Sequence, residues 1–183
     1  GDRLHPVRKE RKEQLRDQIQ KNFDQKGVLM IPAFSIERTQ EILFEMNELI
    51  EHDGLNPGDV YLDSPLAITA IRVFQKYSFD KETMDFDVPD GFEDNNFFAF
   101  KKLSITDTVD ASKRINDSPN PKVIIAGSGM MTAGRIKHHL LRYLDDPNNT
   151  LLITGYQAYG TLGRKIQEGE NPVEIYDHMV NVK

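Results

Sequence analysis

The 183-residue sequence contains no cysteine, which excludes disulfides and zinc sites built on thiolates. It also contains no apolar run near the ~18 residues that a membrane span requires, and no signal-peptide pattern. We therefore expect a cytoplasmic protein without a membrane partner. The chain opens at Gly1 rather than at a methionine, and we expect residues 1–183 to be a single domain excised from a larger protein.

A net positive charge is also lacking: acidic side chains outnumber basic ones by 29 to 23, and the formal net charge of -6 argues against bulk electrostatic attraction to nucleic acid. The charges are unevenly distributed, however. Residues 80–117 hold ten acidic and five basic side chains, and the stretch 80–96 is predicted to be an acidic loop. Residues 122–166 hold six basic and only two acidic side chains. The local charge in this part of the chain is therefore compatible with an anionic ligand.

Four apolar segments typical of β-strands each lead into a helical pattern. These strands are predicted at 27–34, 59–63, 122–127 and 150–155. Nearly continuous apolar strands that alternate with helices indicate a parallel sheet whose two faces are both covered. The sequence therefore predicts an α/β fold, with a mostly parallel sheet and helices on both faces in a Rossmann-like three-layer arrangement.

The remaining segments complete the predicted map. A helix is expected over about 6–25, another strand over 97–105, and a hairpin over 173–182. Ser35 and Ser64 are predicted to be helix N-caps, because each lies between an apolar strand and a helical pattern.

Arginine recurs close to the start of three predicted helices, at Arg38, Arg135 and Arg164. In an open parallel sheet, ligands bind beyond the carboxyl ends of the strands, where helix N-termini offer N–H groups and partial positive charge. A cation in a first turn opposes the helix dipole by ~0.3–1 kcal/mol. Three such placements at one edge are explained if an anion binds among them, and guanidinium groups suit a polyphosphate or a nucleic-acid backbone.

The stretch 126–139, AGSGMMTAGRIKHH, raises three interpretations: a phosphate cradle, a metal site, or a tight turn before a helix. It lacks the G-K-[ST] ending of a P-loop and the G-x-G-x-x-G pattern of dinucleotide-binding folds. Adjacent helical residues point ~100° apart, so His138 and His139 are poorly placed to share a metal, and His139 is predicted to face the core. No serine–histidine–acid triad is recognisable by spacing, and the sequence indicates a binding scaffold without catalytic machinery.

Four motifs, taken in order, carry a family resemblance. They are IPAFSIERTQEIL (31–43), YLDSPLA (61–67), GSGMMTAGRIKHHL (127–140) and DPNNTLLITGYQAYGTLGRKIQEG (146–169). Together they resemble the β-CASP domain of RNA-processing nucleases of the metallo-β-lactamase superfamily, such as ribonuclease J and the pre-mRNA 3′-end cleavage endonuclease. The resemblance implies that 1–5 and 173–183 are junctions to a metallo-β-lactamase half.

The same resemblance implies the RNA-binding cap domain of a zinc-dependent ribonuclease. Two zinc ions would belong to the metallo-β-lactamase half, and the chain alone is expected to bind no metal and to hydrolyse nothing. Single-stranded RNA is the implied partner, and a homodimer is one arrangement that we consider. The residues assigned to RNA or phosphate are Arg38, Ser64, Ser128, Gly129, Arg135, Tyr156 (with Tyr159 as an alternative for base stacking), Gln157 and Arg164.

Two alternatives stay open at this point: an RNA-binding module of a non-catalytic paralogue, and a nucleotide-binding enzyme of the doubly wound kind. An H-x-H-x-D-H motif in the flanking sequence would favour the nuclease. One departure from the family pattern concerns Arg38. Glu37 stands before it where the family usually has glycine, and this carboxylate is expected to weaken RNA contact there.

Overall fold

A computed structural model of the protein describes residues 7–77 and 97–183. The predicted junction 1–5 and the predicted acidic loop 80–96 lie outside the described residues. The helices are α1 (Arg8–Gln25), α2 (Arg38–Asn47), α3 (Pro65–Tyr77), α4 (Val109–Arg114), α5 (Ile136–Tyr143) and α6 (Leu162–Gln167). The strands are β1 (Val28–Pro32), β2 (Asp59–Asp63), β3 (Leu103–Ile105), β4 (Lys122–Ala126), β5 (Thr150–Leu151), β6 (Val173–Ile175) and β7 (His178–Val180). A π-helical turn (Glu48–His52) continues α2, and a 3-10 turn (Ile115–Asp117) continues α4.

Five of the strands form one sheet in the order β3-β2-β4-β1-β5. Every pairing in this sheet is parallel, and β1 and β4 pair from Val28 opposite Lys122 to Pro32 opposite Ala126. β6 and β7 form a separate antiparallel hairpin. These pairings confirm the predicted parallel α/β fold and the predicted hairpin.

Alternate residues of the central strands face two different apolar layers. Leu29 and Ile31 of β1 belong to the layer that packs against α1, α2 and α3. Val28 and Met30 belong to the opposite layer, with α5, α6 and the β6–β7 hairpin. Fully burying one such side chain contributes ~1.5–3 kcal/mol relative to leaving it exposed. Both faces of the sheet are therefore covered.

The predicted N-cap at Ser35 is wrong. The chain makes an additional turn after β1, and α2 begins only at Arg38, directly after Glu37. Ser35 instead accepts a hydrogen bond at its carbonyl oxygen from Gln40 Nε2 at 3.1 Å. The N-cap position is taken by Glu37, whose side chain makes no capping hydrogen bond.

Two predicted strands are shorter in the structure. The strand expected over 97–105 is confirmed only at Leu103–Ile105, because Lys102 adopts a left-handed conformation with φ 79° just before it. The strand expected over 150–155 pairs only at Thr150–Leu151, at the border of the sheet. None of the helices in the described ranges combines the length and apolar content needed to cross a bilayer.

Candidate functional site

All five parallel strands end at the same side of the molecule, here called the carboxyl edge. It comprises the segments that follow the strands: 33–38, 63–66, 106–112, 127–135 and 152–164. Neighbouring segments are in contact there. Ala33 N–H donates to the carbonyl oxygen of Ala126 at 3.0 Å, and the hydroxyl oxygens of Ser35 and Ser64 lie 3.4 Å apart. Ser64, one of the predicted site residues, is therefore buried against the segment that leads to Arg38.

Beside these serines, a buried carboxylate collects four hydrogen bonds. Asp63, the last residue of β2, is 0% exposed. Its Oδ1 accepts from Arg135 Nη1 at 2.7 Å and from Thr106 Oγ1 at 2.6 Å. Its Oδ2 accepts from Ser112 Oγ and from His139 Nε2, both at 2.7 Å. We refer to these five residues as the Asp63 cluster.

The charge state of the cluster follows from these hydrogen bonds. Burial raises the pKa of the Asp63 carboxyl, but the hydrogen bonds of the cluster, led by that from His139, outweigh it and bring the pKa to about 2. The carboxylate is therefore ionised at neutral pH and can only accept hydrogen bonds. His139 consequently donates its Nε2–H. Its buried Nδ1 has no hydrogen-bond partner among the described residues.

Arg135 joins the cluster to a neighbouring segment. Besides Asp63, its guanidinium donates from Nη1 to the carbonyl oxygen of Thr106 at 2.7 Å and from Nη2 to that of Asp107 at 3.2 Å. Its side chain is only 18% exposed. Arg135 thus ties the start of α5 to the residues after β3. Its role in phosphate binding stays a prediction, and a phosphate would meet a guanidinium already engaged by protein oxygens.

The glycine-rich segment 127–135 folds back on itself. Ser128 N–H donates to the carbonyl oxygen of Ala133 at 3.1 Å, and Ala133 N–H donates to Ser128 Oγ at 3.3 Å. Gly134 adopts φ +80°, and a Cβ at this position would lie 2.5 Å from the carbonyl oxygen of Gly127. The segment is therefore a tight turn, and it also forms part of the carboxyl edge. The predicted phosphate contact of Ser128 stays a prediction.

Gln157 links two segments of the carboxyl edge. It is 1% exposed, and its Nε2 donates to the carbonyl oxygens of Gly129 at 3.0 Å and Gly155 at 3.1 Å. Gly163 N–H adds a further link by donating to the carbonyl oxygen of Met130 at 3.3 Å. The structure thus brings the predicted residues Gly129 and Gln157 into direct contact. These contacts give Gln157 a positioning role between the segments after β4 and β5.

Arg38 and Arg164 lie at the exposed part of the edge. Arg38 Nη1 pairs with Glu41 Oε2 at 2.5 Å, and Arg164 Nε pairs with Glu168 Oε1 at 2.7 Å. Exposed pairs of this kind contribute ~0–1 kcal/mol. Each arginine can therefore exchange its carboxylate for another anion at little cost. These ion pairs also give a reason, other than a bound anion, for an arginine close to the start of a helix, because each arginine is paired with a nearby glutamate.

The side chains that the structure describes, in 7–77 and 97–183, do not form a zinc centre. The described residues contain no group of three or more histidine, aspartate or glutamate side chains that could hold a metal ion. His139 is engaged by Asp63, and His138 Nε2 lies 3.2 Å from the hydroxyl of Tyr176. No metal chemistry is assigned to these residues.

The sequence does not identify three residues at the centre of the buried part of the carboxyl edge. Asp63, Thr106 and Ser112 are absent from the predicted site residues. Asp63 carries a usable signal, because an acidic residue at the end of an apolar strand is costly to bury unless donors surround it. The other two are ordinary polar residues in a stretch without strong periodicity, and nothing in the sequence sets them apart.

The fold and the edge define an open α/β domain with polar side chains beyond the carboxyl ends of its parallel strands. The model of one domain family, described as Beta-Casp domain, matches residues 39–166. The chain therefore belongs to the β-CASP family, which confirms the resemblance carried by the four sequence motifs.

The curated relatives support the same family. The chain is similar to ribonuclease TTHA0252 of Thermus thermophilus, with 36% identity over 91% of this chain and 38% of the relative. It is 32% identical to the transcription termination factor FttA of Methanosarcina mazei, over 91% of this chain and 26% of the relative. It is also 32% identical to endoribonuclease YSH1 of Yarrowia lipolytica, over 94% of this chain and 20% of the relative. The chain spans between a fifth and two fifths of the length of these three relatives.

Proposed function

We propose that this chain is the RNA-binding domain of a zinc-dependent ribonuclease and that RNA lies along the carboxyl edge. The observation that carries the proposal is the Beta-Casp match over residues 39–166, together with relatives named ribonuclease and endoribonuclease. The surface pairs of Arg38 and Arg164 support it, because both guanidinium groups can turn to phosphate at little cost.

In this proposal the chain binds and orients RNA. Arg38 and Arg164 neutralise backbone phosphates, and the partly exposed hydroxyl of Ser128 donates to a phosphate oxygen. Ser64 is buried and supports the edge from inside. The Asp63 cluster keeps the segments of the edge in register. The two zinc ions that the family resemblance implies belong to a second half of the protein, outside these 183 residues.

The test compares the protein at its natural length with the isolated chain 1–183. Labelled single-stranded RNA should be shortened by the natural-length protein. Cleavage should stop after chelation and return with added Zn²⁺. The isolated chain should leave the RNA intact, and a single-stranded DNA of the same sequence serves as the control substrate.

The outcomes separate the alternatives. RNA that is bound but never shortened, together with a flanking sequence that lacks H-x-H-x-D-H, would replace the nuclease with a non-catalytic RNA-binding module. Saturable binding of ATP with no response to RNA would favour a nucleotide-binding enzyme. Either result would overturn the proposed activity.

A further inference from the structure

Two tyrosines of the carboxyl edge project into solvent. Tyr159 is 89% exposed and Tyr156 is 72% exposed, and they are the two most exposed large apolar residues within the described ranges. A single exposed aromatic ring is ordinary on a protein surface. Two such rings three residues apart, in a segment next to Arg164, require a further explanation.

The segment that carries the tyrosines is held in place although it is neither helix nor strand. Gln157, which lies between the two tyrosines, is bonded to Gly129 and Gly155. Thr161 fixes the other end, since its hydroxyl donates to the carbonyl oxygen of Ala158 at 2.7 Å and its N–H donates to the same oxygen at 3.1 Å. Presenting the rings to a ligand therefore costs little additional ordering of the backbone.

A third ring lies on the neighbouring segment. Phe34 follows β1 and is 44% exposed. Its ring packs against Gly129, where an added Cβ would lie 2.6 Å from Phe34 Cδ2. The backbone of Phe34 is also fixed, because its carbonyl oxygen accepts from Thr39 Oγ1 at 2.7 Å. Gly129 thus contacts the Phe34 ring and also accepts the hydrogen bond of Gln157.

We infer that Phe34, Tyr156 and Tyr159 form a base-stacking platform for single-stranded RNA. The inference rests on the proposed function, since it takes RNA as the ligand. Exposed aromatic rings bind unpaired bases through their faces with little regard to sequence, and cationic side chains beside them hold the backbone. Arg38 follows Phe34 by four residues at the start of α2, and Arg164 follows Tyr159 by five residues in α6, so each ring segment leads into a helix that carries a guanidinium. A duplex, whose bases are already stacked, could not use these rings.

The experiment measures the contribution of the bases alone. The natural-length protein, with its metal removed to prevent cleavage, is titrated into a labelled RNA of about twelve nucleotides and into an abasic ribose-phosphate strand of equal length. We expect the wild type to bind the base-bearing strand roughly tenfold more tightly. The double variant Tyr156→Leu, Tyr159→Leu should lose most of that preference, because Phe34 alone of the three rings remains, and should bind the abasic strand as the wild type does.

A matched control is Tyr77→Leu on α3, which removes a tyrosine that is 47% exposed outside the carboxyl edge. It should retain the full preference for bases, and the unfolding midpoints of all variants should agree. A double variant that keeps the wild-type preference for the base-bearing strand would overturn the platform. That result is expected if the two rings contact a protein partner instead of RNA bases. Equal affinity of the wild type for both strands would overturn the platform only. A wild type that binds neither strand would contradict the proposed function itself.

Discussion

The two parts of the carboxyl edge use arginine in opposite ways. Beyond β2, β3 and β4, Arg135 is bound to Asp63, which lies 72 residues away in the chain and is fully buried. Beyond β1 and β5, Arg38 pairs with Glu41 within α2, and Arg164 pairs with Glu168, the residue that follows α6. The Arg135–Asp63 pair joins separate segments of the fold. The other two pairs are local to one helix and its end.

This difference separates stability from binding. Removing one partner of a buried ion pair leaves an uncompensated charge, which is strongly destabilising. Losing an exposed pair within one helix changes stability little. We therefore expect the fold to depend on the Asp63 cluster and RNA affinity to depend on Arg38 and Arg164. An arginine near a helix start does not by itself indicate which of these two roles it has.

The largest expected effect is on stability, from Asp63→Ala. This change leaves Arg135 and His139 without their shared carboxylate, and we expect a loss of ~3–5 kcal/mol in the free energy of unfolding. Urea denaturation measures it. The matched control Glu41→Ala removes the carboxylate of an exposed pair and should cost no more than ~1 kcal/mol. Similar losses of unfolding free energy in the two variants would show that the buried and exposed ion pairs of the carboxyl edge contribute equally to stability.

The pH dependence of stability tests the same buried carboxylate. The pKa of Asp63 is lowered from 3.8 to about 2 in the folded protein. The folded state therefore binds this proton less readily, so the stabilisation is complete above the ordinary pKa and is lost as the pH falls from about 4 to about 2. At 1.36 kcal/mol per pKa unit, the loss is about 2 kcal/mol.

Unfolding free energies measured across this acidic range should fall less steeply for Asp63→Asn than for the wild type. Asp107→Asn is the control, because the contact of Asp107 with Arg135 uses its backbone carbonyl. It should follow the wild-type slope. A slope that is the same in all three proteins would show that the cluster does not hold the ionised carboxylate.

The sequence predicts the sheet because the information is local. Every residue of β1 and β4 is buried, and these strands appear in the sequence as short apolar runs bounded by polar residues. His139 is predicted correctly for the same reason: it lies three residues after Ile136 on the apolar face of α5 and is 2% exposed. Periodicity within one element suffices for such predictions.

The Asp63 cluster could not be predicted in this way, because its members come from separate segments. Thr106 and Ser112 reach Asp63 only because β3 pairs with β2. Arg135 and His139 reach it only because β4 lies on the other side of β2. Strand order in a parallel sheet depends on long-range packing and has no local sequence signal. The stretch 126–139 predicts a binding wall, but its histidine pair gives no hint that one member donates to a buried carboxylate.

An effect on RNA affinity should separate Arg164 from Arg135. Arg164→Ala in the natural-length protein should weaken RNA binding about tenfold and reduce the dependence of log K on log salt by about one. Its free energy of unfolding should stay within ~1 kcal/mol of wild type. Arg135→Ala should instead destabilise the fold. Fluorescence anisotropy at several salt concentrations, paired with urea denaturation, measures both quantities. An unchanged salt slope for Arg164→Ala would contradict its contact with phosphate.

The smallest expected effect concerns the residue before Arg38, in the exposed part of the edge. Glu37 adopts φ 69° and ψ -69°, and Arg38 N–H donates across it to the carbonyl oxygen of Ile36 at 2.9 Å. This three-residue turn is strained for any residue with a Cβ. Glu37→Gly should therefore be more stable than Glu37→Ala by about 1 kcal/mol in urea denaturation.

Both variants remove the same carboxylate beside Arg38, so their affinities for RNA should rise together while their stabilities diverge. That pattern would separate the charge of Glu37 from its backbone conformation. Equal stability of Glu37→Gly and Glu37→Ala would show that the turn before α2 is not strained. Unequal RNA affinities would show that the turn, as well as the charge, sets the position of Arg38 at the edge.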